Sequence, residues 1–409
     1  MTTIDEFQLA VPIRIFNQLG EILDRLNINP GNLAPDVLIS EASRRTELAD
    51  WGEADFLNDY TFLISCVEGQ PHLTLFGRLG MRREFLRVLV NRLQIQYLLR
   101  QHPEILAVPI HRPIFIVGLP RTGTTLLHKL MAQDNRMRVP PLWQLLAPFP
   151  LTSESHSIEG RIRQAEQFIG LARFTAPQMR ILHPLDAHEP EECVFLLPHH
   201  LLYHLRAPVP DYKKWYLERN TVADYGYYRQ LLQVLGWQQP IQHWVMKSPF
   251  HLFSLDTLLT VFPDACVVQT HRDLNRVLPS WCSFGAAVQK LHLKQSDYQA
   301  MGDEWLALWK IGIERTMSVR ESAHPAQFFD LHYNEFITDP IGSLRQLYQY
   351  FNYELDGRTE AKMRQWLQNH SQEKHGSHRY TGEQFGLSEA RIGDIFKAYT
   401  ARFPIQPEQ

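Results

Sequence analysis

Charge of one sign is what this chain lacks first. Its 409 residues carry 41 Lys and Arg against 44 Asp and Glu, a formal net charge of −3. No global field therefore draws in a nucleic acid or an anionic surface, and affinity for a polyanion needs a local cluster. Cysteine is scarce too. Cys66, Cys193, Cys266 and Cys282 show no Cys-x-x-Cys spacing, which reads as reduced, mostly buried thiols in a cytoplasmic protein. No apolar run approaches the ~20 residues of a membrane span. The stretch Met1 to Leu9 holds Asp5 and Glu6 and lacks the basic-then-apolar order of a secretory signal. Internal repeats and low-complexity segments are absent. What is present is 44% apolar residues, enough to build one large core or two ordinary ones. The 19 histidines raise the case for metal or acid–base chemistry only slightly.

Residues 1–110 read as helical. From Met81 to Arg100, the residues Met81, Phe85, Leu89, Leu93 and Tyr97 share one face, while Arg82, Arg83, Arg87 and Arg92 fall mainly on a solvated one. Pro103 ends that helix. Ile114 to Val117, between Pro113 and Gly118, predicts a buried strand of the parallel kind. A helix follows from about Thr124 to Gln133. His243 to Met246 and Ala265 to Thr270 predict two more strands around a helical stretch, Leu252 to Phe262, the order of a parallel α/β unit. Trp305 to Val319 predicts an amphipathic helix, and Phe328 to Leu331 a fourth strand.

Between the first strand and its helix runs Gly118-Leu-Pro-Arg-Thr-Gly-Thr-Thr125. Backbone N–H groups opening a helix can cradle a phosphate there. The spacing is that of a phosphate loop except at one position, where Thr124 replaces the Lys that an NTPase sets on the β- and γ-phosphates. The positive charge sits earlier, at Arg121. Such a loop suits a 5′-phosphate with one further group better than a triphosphate with magnesium. The bland reading is a tight strand-to-helix turn.

Pro120-Arg-Thr-Gly-Thr-Thr-Leu-Leu127 resembles the 5′-phosphosulfate loop of the sulfotransferases that use 3′-phosphoadenosine 5′-phosphosulfate (PAPS), in particular larger bacterial-type members with an N-terminal helical region. The resemblance implies donor contacts from Arg121, Thr122, Gly123, Thr124, Thr125 and Leu126. Val267-Val-Gln-Thr-His-Arg272 ends a strand, with Ser280 eight positions on; the resemblance implies that Arg272 and Ser280 grip the 3′-phosphate. A guanidinium fork suits a dianion. Trp244-Val-Met-Lys-Ser-Pro249 resembles the strand-end Lys of the family, so Lys247 is expected near the bridging oxygen. Phe262-Pro-Asp-Ala265, Tyr333-Asn-Glu-Phe336 and Asp339-Pro340 fit as well. Lys374, His375, His378 and Arg379 resemble the segment closing over the nucleotide.

The resemblance implies a three-layer α/β, P-loop-like fold with a short parallel sheet over 111–409 and extensive helical additions. The N-terminal region 1–110 and an insertion at about 150–240 would form the pocket of a small, apolar acceptor bearing a hydroxyl or amine. No metal, nucleic acid or integral membrane span is expected.

The general base is not assigned. Pro249 and Gln144 occupy two positions where family members carry a His or a Glu. Local candidates are His188, Glu191 and Glu192, ahead of the apolar run Val194 to Leu197, and His251. A carboxylate entering an apolar helix is expected to have a raised pKa. Three other readings stay open: an ATP-dependent P-loop phosphotransferase, a metal hydrolase using histidines between His183 and His204, and a silent homologue that binds nucleotide without turnover.

Overall fold

Every residue of Ile114–Gly118 (β1) is buried, yet alternate side chains enter different cores. Ile114 and Ile116 pack with Leu127, Leu130 and Leu344; Phe115 and Val117 pack with Tyr228, Phe262 and Leu252. Successive strand residues point to opposite faces, so a strand apolar throughout needs cover on both sides. That requirement yields three layers. The computed structural model describes residues 8–408 apart from 27, 54, 154–155, 178, 240–242 and 371–380.

β1 is central in a five-stranded sheet ordered β2-β3-β1-β4-β5, with Met137–Arg138 as β2, His243–Lys247 as β3, Cys266–His271 as β4 and Phe328–His332 as β5. All four pairings are parallel. β2 was not anticipated, because two residues are too short to show a period. The expected helix Leu252 to Phe262 divides into a 3₁₀ turn, Pro249–Phe253, and a helix, Leu255–Val261. β1, β3 and β4 end at Gly118, Lys247 and His271 on one edge, where open parallel sheets bind ligands.

Among the described residues, four α-helices precede the sheet, α1 (Val11–Arg25), α2 (Pro35–Thr46), α3 (Asp55–Glu68) and α4 (Leu75–Gln101), followed by a 3₁₀ turn, Pro103–Ala107. Thr74 caps α4 by accepting from the Gly77 N–H at 3.0 Å. Met81, Phe85, Leu89 and Leu93 are fully buried as expected, but Tyr97 is 52% exposed. Arg92, expected on a solvated face, is buried: Nε donates to the Trp51 carbonyl at 2.8 Å and the guanidinium lies between the rings of Phe56 and Tyr227. Arg87 likewise forks onto Glu84. Both are covered because α4 is packed on more than one side.

Burial holds His200 and His251 neutral, with pKa values pushed down to about 3. Burial and then Lys247 do the same to His128. Unfolding returns each to about 6.5, so the unfolded chain binds more protons below that pH. Their contribution is complete above pH ~6.5 and is lost as pH falls toward 3. Thermal melts should show a flat midpoint near neutrality and a decline that begins near pH 6.5. That is well above the window in which carboxylates titrate; a midpoint unchanged down to pH 5 would refute it.

Candidate active site

The loop after β1 is shaped by positions that exclude side chains. Gly118 has φ +128°, and a Cβ there would lie 2.4 Å from Thr270 Oγ1. Gly123 (φ +85°) opens α5 (Thr124–Met131), and a Cβ on it would press on the Tyr333 ring. Arg121 is itself left-handed, φ +67°, a strained state for a residue with a Cβ. The hydroxyl of Thr122 donates to the Leu119 carbonyl and shares a second bond with Thr270 Oγ1, both at 2.6 Å. Its side chain therefore locks the loop onto β4 and is absent from the cavity wall, which leaves its backbone N–H for the expected donor contact. Gly123, Thr124, Thr125 and Leu126 do line the cavity, of about 1090 Å³.

Arg272 follows β4 and lines the same cavity. Its Nη1 donates to the Arg121 carbonyl at 2.7 Å, and its guanidinium sits 3.8 Å from the centre of the Tyr333 ring. Arg121 Nε donates to Ser280 Oγ at 3.1 Å and Nη1 to the Leu182 carbonyl at 3.0 Å. Ser280 lies in the helix Leu274–His292, beneath Arg121 and off the cavity wall. Glu408 supplies a contact that had no signal in the sequence. Its carboxylate takes Arg272 Nε and Nη2 at 2.6 and 2.8 Å.

Lys247, at the end of β3, is 2% exposed. Nζ reaches Glu192 Oε1 at 3.0 Å, Glu191 Oε1 at 4.0 Å and Thr125 Oγ1 at 3.5 Å. Burial works against its charge, but the Glu192 and Glu191 carboxylates hold its pKa above the usual lysine range. Glu191 also accepts from or pairs with His183 Nε2 at 3.1 Å. Burial alone would raise Glu191, as anticipated; His183 and then Lys247 reverse the sign and hold it well below the ordinary carboxylate range. Glu191, Glu192 and His183 line the cavity.

Two base candidates leave the site. His188 is exposed and its N–H is taken by Asp186. His251 is fully buried, bonded through Nδ1 to the Tyr225 hydroxyl at 2.7 Å and through Nε2 to Cys193 at 3.2 Å, behind Lys247 and off the wall. Gln144 accepts from Arg138 at 2.7 Å and also stands apart from the cavity. Arg379, with Lys374, His375 and His378, lies outside the described residues. The histidines of the metal reading are dispersed: His199 pairs with Asp224, His204 with Glu304. Among the described residues no three His, Cys, Asp or Glu side chains could hold one ion.

The loop and the guanidinium thus meet in one cavity, with the strand-end lysine buried directly behind Glu192 of its wall. A sulfotransferase family model matches residues 113–357, a span containing all three. The chain belongs to the sulfotransferase family. A curated relative, the omega-hydroxy-beta-dihydromenaquinone-9 sulfotransferase Stf3 of Mycobacterium bovis, is 30% identical over 312 residues, 70% of this chain and 74% of its own length. The crystal structure of sulfotransferase STF9 from Mycobacterium avium superposes with TM-score 0.83 at 28% identity, covering 91% of this chain and 97% of its own. That of STF1 from Mycobacterium tuberculosis gives 0.76 at 29%, over 89% and 98%. The ATP-dependent phosphotransferase reading falls with this assignment. Beyond the loop, the wall of the sulfotransferase cavity is largely apolar, with Leu79, Leu86, Phe168, Leu205, Phe284 and Val288, and Arg83, Arg87 and Arg206 stand among them.

Proposed function

We propose that this sulfotransferase uses PAPS as its donor and a hydroxyl or amine on a small, apolar acceptor. The carrying observation is the 2.7 Å bond from Arg272 to the Arg121 carbonyl; a guanidinium that close to the 5′ loop supports Arg272 as the 3′-phosphate anchor of one small donor. Amides opening α5 and the hydroxyls of Thr124 and Thr125 hold the 5′-phosphate; Leu126 lies against the nucleotide. Arg121 faces the transferring group, positioned by Ser280. Tyr333, stacked on Arg272, orients the 3′-phosphate anchor. The donor supplies an activated sulfuryl group; the acceptor oxygen or nitrogen bonds to sulfur as the sulfur–oxygen bond to the nucleotide phosphate breaks.

Lys247 offsets charge on the departing phosphate. Glu192, on the cavity wall and paired with Lys247, takes the acceptor proton; Glu191, fixed by His183, holds the lysine in place. As the leaving phosphate gains charge it competes for Lys247, which releases Glu192 toward its proton. Glu192→Gln should cut kcat about 100-fold to 1000-fold and leave binding of adenosine 3′,5′-bisphosphate within about twofold of the parent. Full turnover in that variant would remove Glu192 from the role. A silent homologue would bind the bisphosphate and turn over no acceptor.

The largely apolar wall favours a lipid-like acceptor, and the relative whose name specifies a hydroxylated menaquinone supports the same class. Residues 1–110 and about 150–240 are additions on the acceptor side of a 111–409 sheet domain. Reduced Cys66, Cys193, Cys266 and Cys282 accord with a cytoplasmic setting. Calorimetry with adenosine 3′,5′-bisphosphate, with and without magnesium, tests the donor: equal affinity in both supports it, and binding only with magnesium overturns it. Glu408→Gln should tighten that binding several-fold, since the carboxylate on Arg272 must give way to a phosphate; unchanged affinity would show that Glu408 does not compete.

A further inference from the structure

An amphipathic helix on a water-soluble body normally turns its apolar side inward. α1 carries a second apolar stripe that faces outward. Val11, Ile15, Leu19, Ile22 and Leu26 recur at spacings of three and four residues and are 55%, 60%, 47%, 53% and 63% exposed. Its inward face is Ile13, Phe16, Asn17, Gly20 and Leu23, so apolar side chains stand on both sides of the helix. Ile13 and Gly20 are buried, and a Cβ on Gly20 would collide with Leu75. Asn17 Oδ1 accepts from the Phe76 N–H at 3.0 Å, while Ala10 N–H donates to the Thr175 carbonyl at 3.0 Å. These contacts set the helix's rotation, so the outward stripe is a fixed feature of the fold.

The attachment points are part of the cavity wall. Phe76 and Thr175 both line it, as does Leu171, which is 42% exposed with Phe174 beside it at 55%. The helix that bears the exposed ridge is therefore anchored at the rim of the acceptor chamber, where Leu171 and Phe174 are exposed as well. Arg14 and Arg25 are exposed on α1 at the edge of the stripe, where long cationic side chains can reach past an apolar layer to anionic headgroups.

We infer that α1 docks this sulfotransferase on a lipid bilayer, lying in the headgroup layer with its aliphatic stripe immersed, so that a membrane-dissolved acceptor enters the cavity beside it. This rests on the apolar-acceptor reading above. A second copy of the chain is the competing occupant. The ridge offers only a few hundred Å² from a single helix, short of the ~800 Å² that each partner of a stable complex buries, whereas an interfacial helix needs no more than such a stripe. No helix among the described residues is long and apolar enough to cross a membrane, so the contact is with one leaflet.

The test is sedimentation of the full chain with vesicles of phosphatidylcholine mixed with phosphatidylglycerol, comparing the parent with the triple variant Ile15→Gln, Leu19→Gln, Ile22→Gln. The parent should partition onto vesicles and the variant about tenfold or more weakly. Both should melt alike and bind adenosine 3′,5′-bisphosphate equally, because the altered side chains are exposed and lie outside the nucleotide site. Turnover of a long-chain alcohol embedded in vesicles should fall about tenfold in the variant, with turnover of a short, water-soluble alcohol unchanged. Equal partition of parent and variant, no partition of the parent, or a parent dimer that the variant dissolves would each overturn the docking role. Loss of nucleotide binding in the parent would instead strike the donor assignment, leaving the vesicle result to stand by itself.

Discussion

Arg272→Ala should weaken adenosine 3′,5′-bisphosphate binding by about 100-fold or more, with adenosine 5′-phosphate affected far less. A hydrogen bond to a charged group contributes roughly 1.5–3 kcal/mol, and a guanidinium fork makes two of them on one phosphate. Arg272 already shows that fork, with Glu408 as the anion. The difference between the two nucleotides is the informative quantity. Arg272 also holds the Arg121 carbonyl, so its loss loosens the 5′ loop somewhat and lowers affinity for both ligands; only the excess loss with the 3′-phosphate reports the anchor. Arg272→Lys should fall between the two, since a point charge keeps the attraction without the fork. If the parent protein bound both nucleotides equally by calorimetry, position 272 would have no part in donor recognition.

Lys247→Met should lower kcat by about 100-fold to 1000-fold, the scale of removing one group aimed at developing charge. A structural objection must be met, because Lys247 is buried against Glu192 and Glu191. Removing one partner of a buried ion pair costs roughly 3–5 kcal/mol, and the single variant should melt early. Combining Lys247→Met with Glu192→Gln removes charge from both sides. That double variant should recover much of the lost thermal stability and none of the turnover. Recovery of both together would make Lys247 a packing residue.

The sheet was legible because its strands are short apolar runs closed by Pro113, Gly118 and Pro249; β2 was not, since Met137–Arg138 depends on pairing with His243 and Trp244. The loop was readable because glycine spacing, hydroxyls and a strand-to-helix junction all coincide. What stayed hidden is set by tertiary neighbours. Thr122 and Thr125 look alike in sequence, yet one faces Thr270 and the other Lys247. The acidic pair does line the cavity, but the sign of the Glu191 shift depended on His183 and Lys247, the latter 56 positions away in the chain. His188 and His251 were proposed from proximity along the chain, which says little about orientation in a segment with no regular helix. Tyr97 and Arg92 exchange their expected environments for the same reason: one turn of α4 has solvent where the pattern implies core, and another has Trp51 and Phe56 where it implies water.

The carboxylate clasp on Arg272 bears on life among small anions. A bare guanidinium beside a phosphate loop would be a resting place for orthophosphate, sulfate and ordinary nucleotides. With Glu408 seated there, a newcomer must repay the displaced bond, and a lone anion gains too little to do so. With the donor held as proposed, a molecule that also fills the 5′ loop gains from both ends at once, and Glu408 would set a threshold that favours such a ligand over the commoner ions around it.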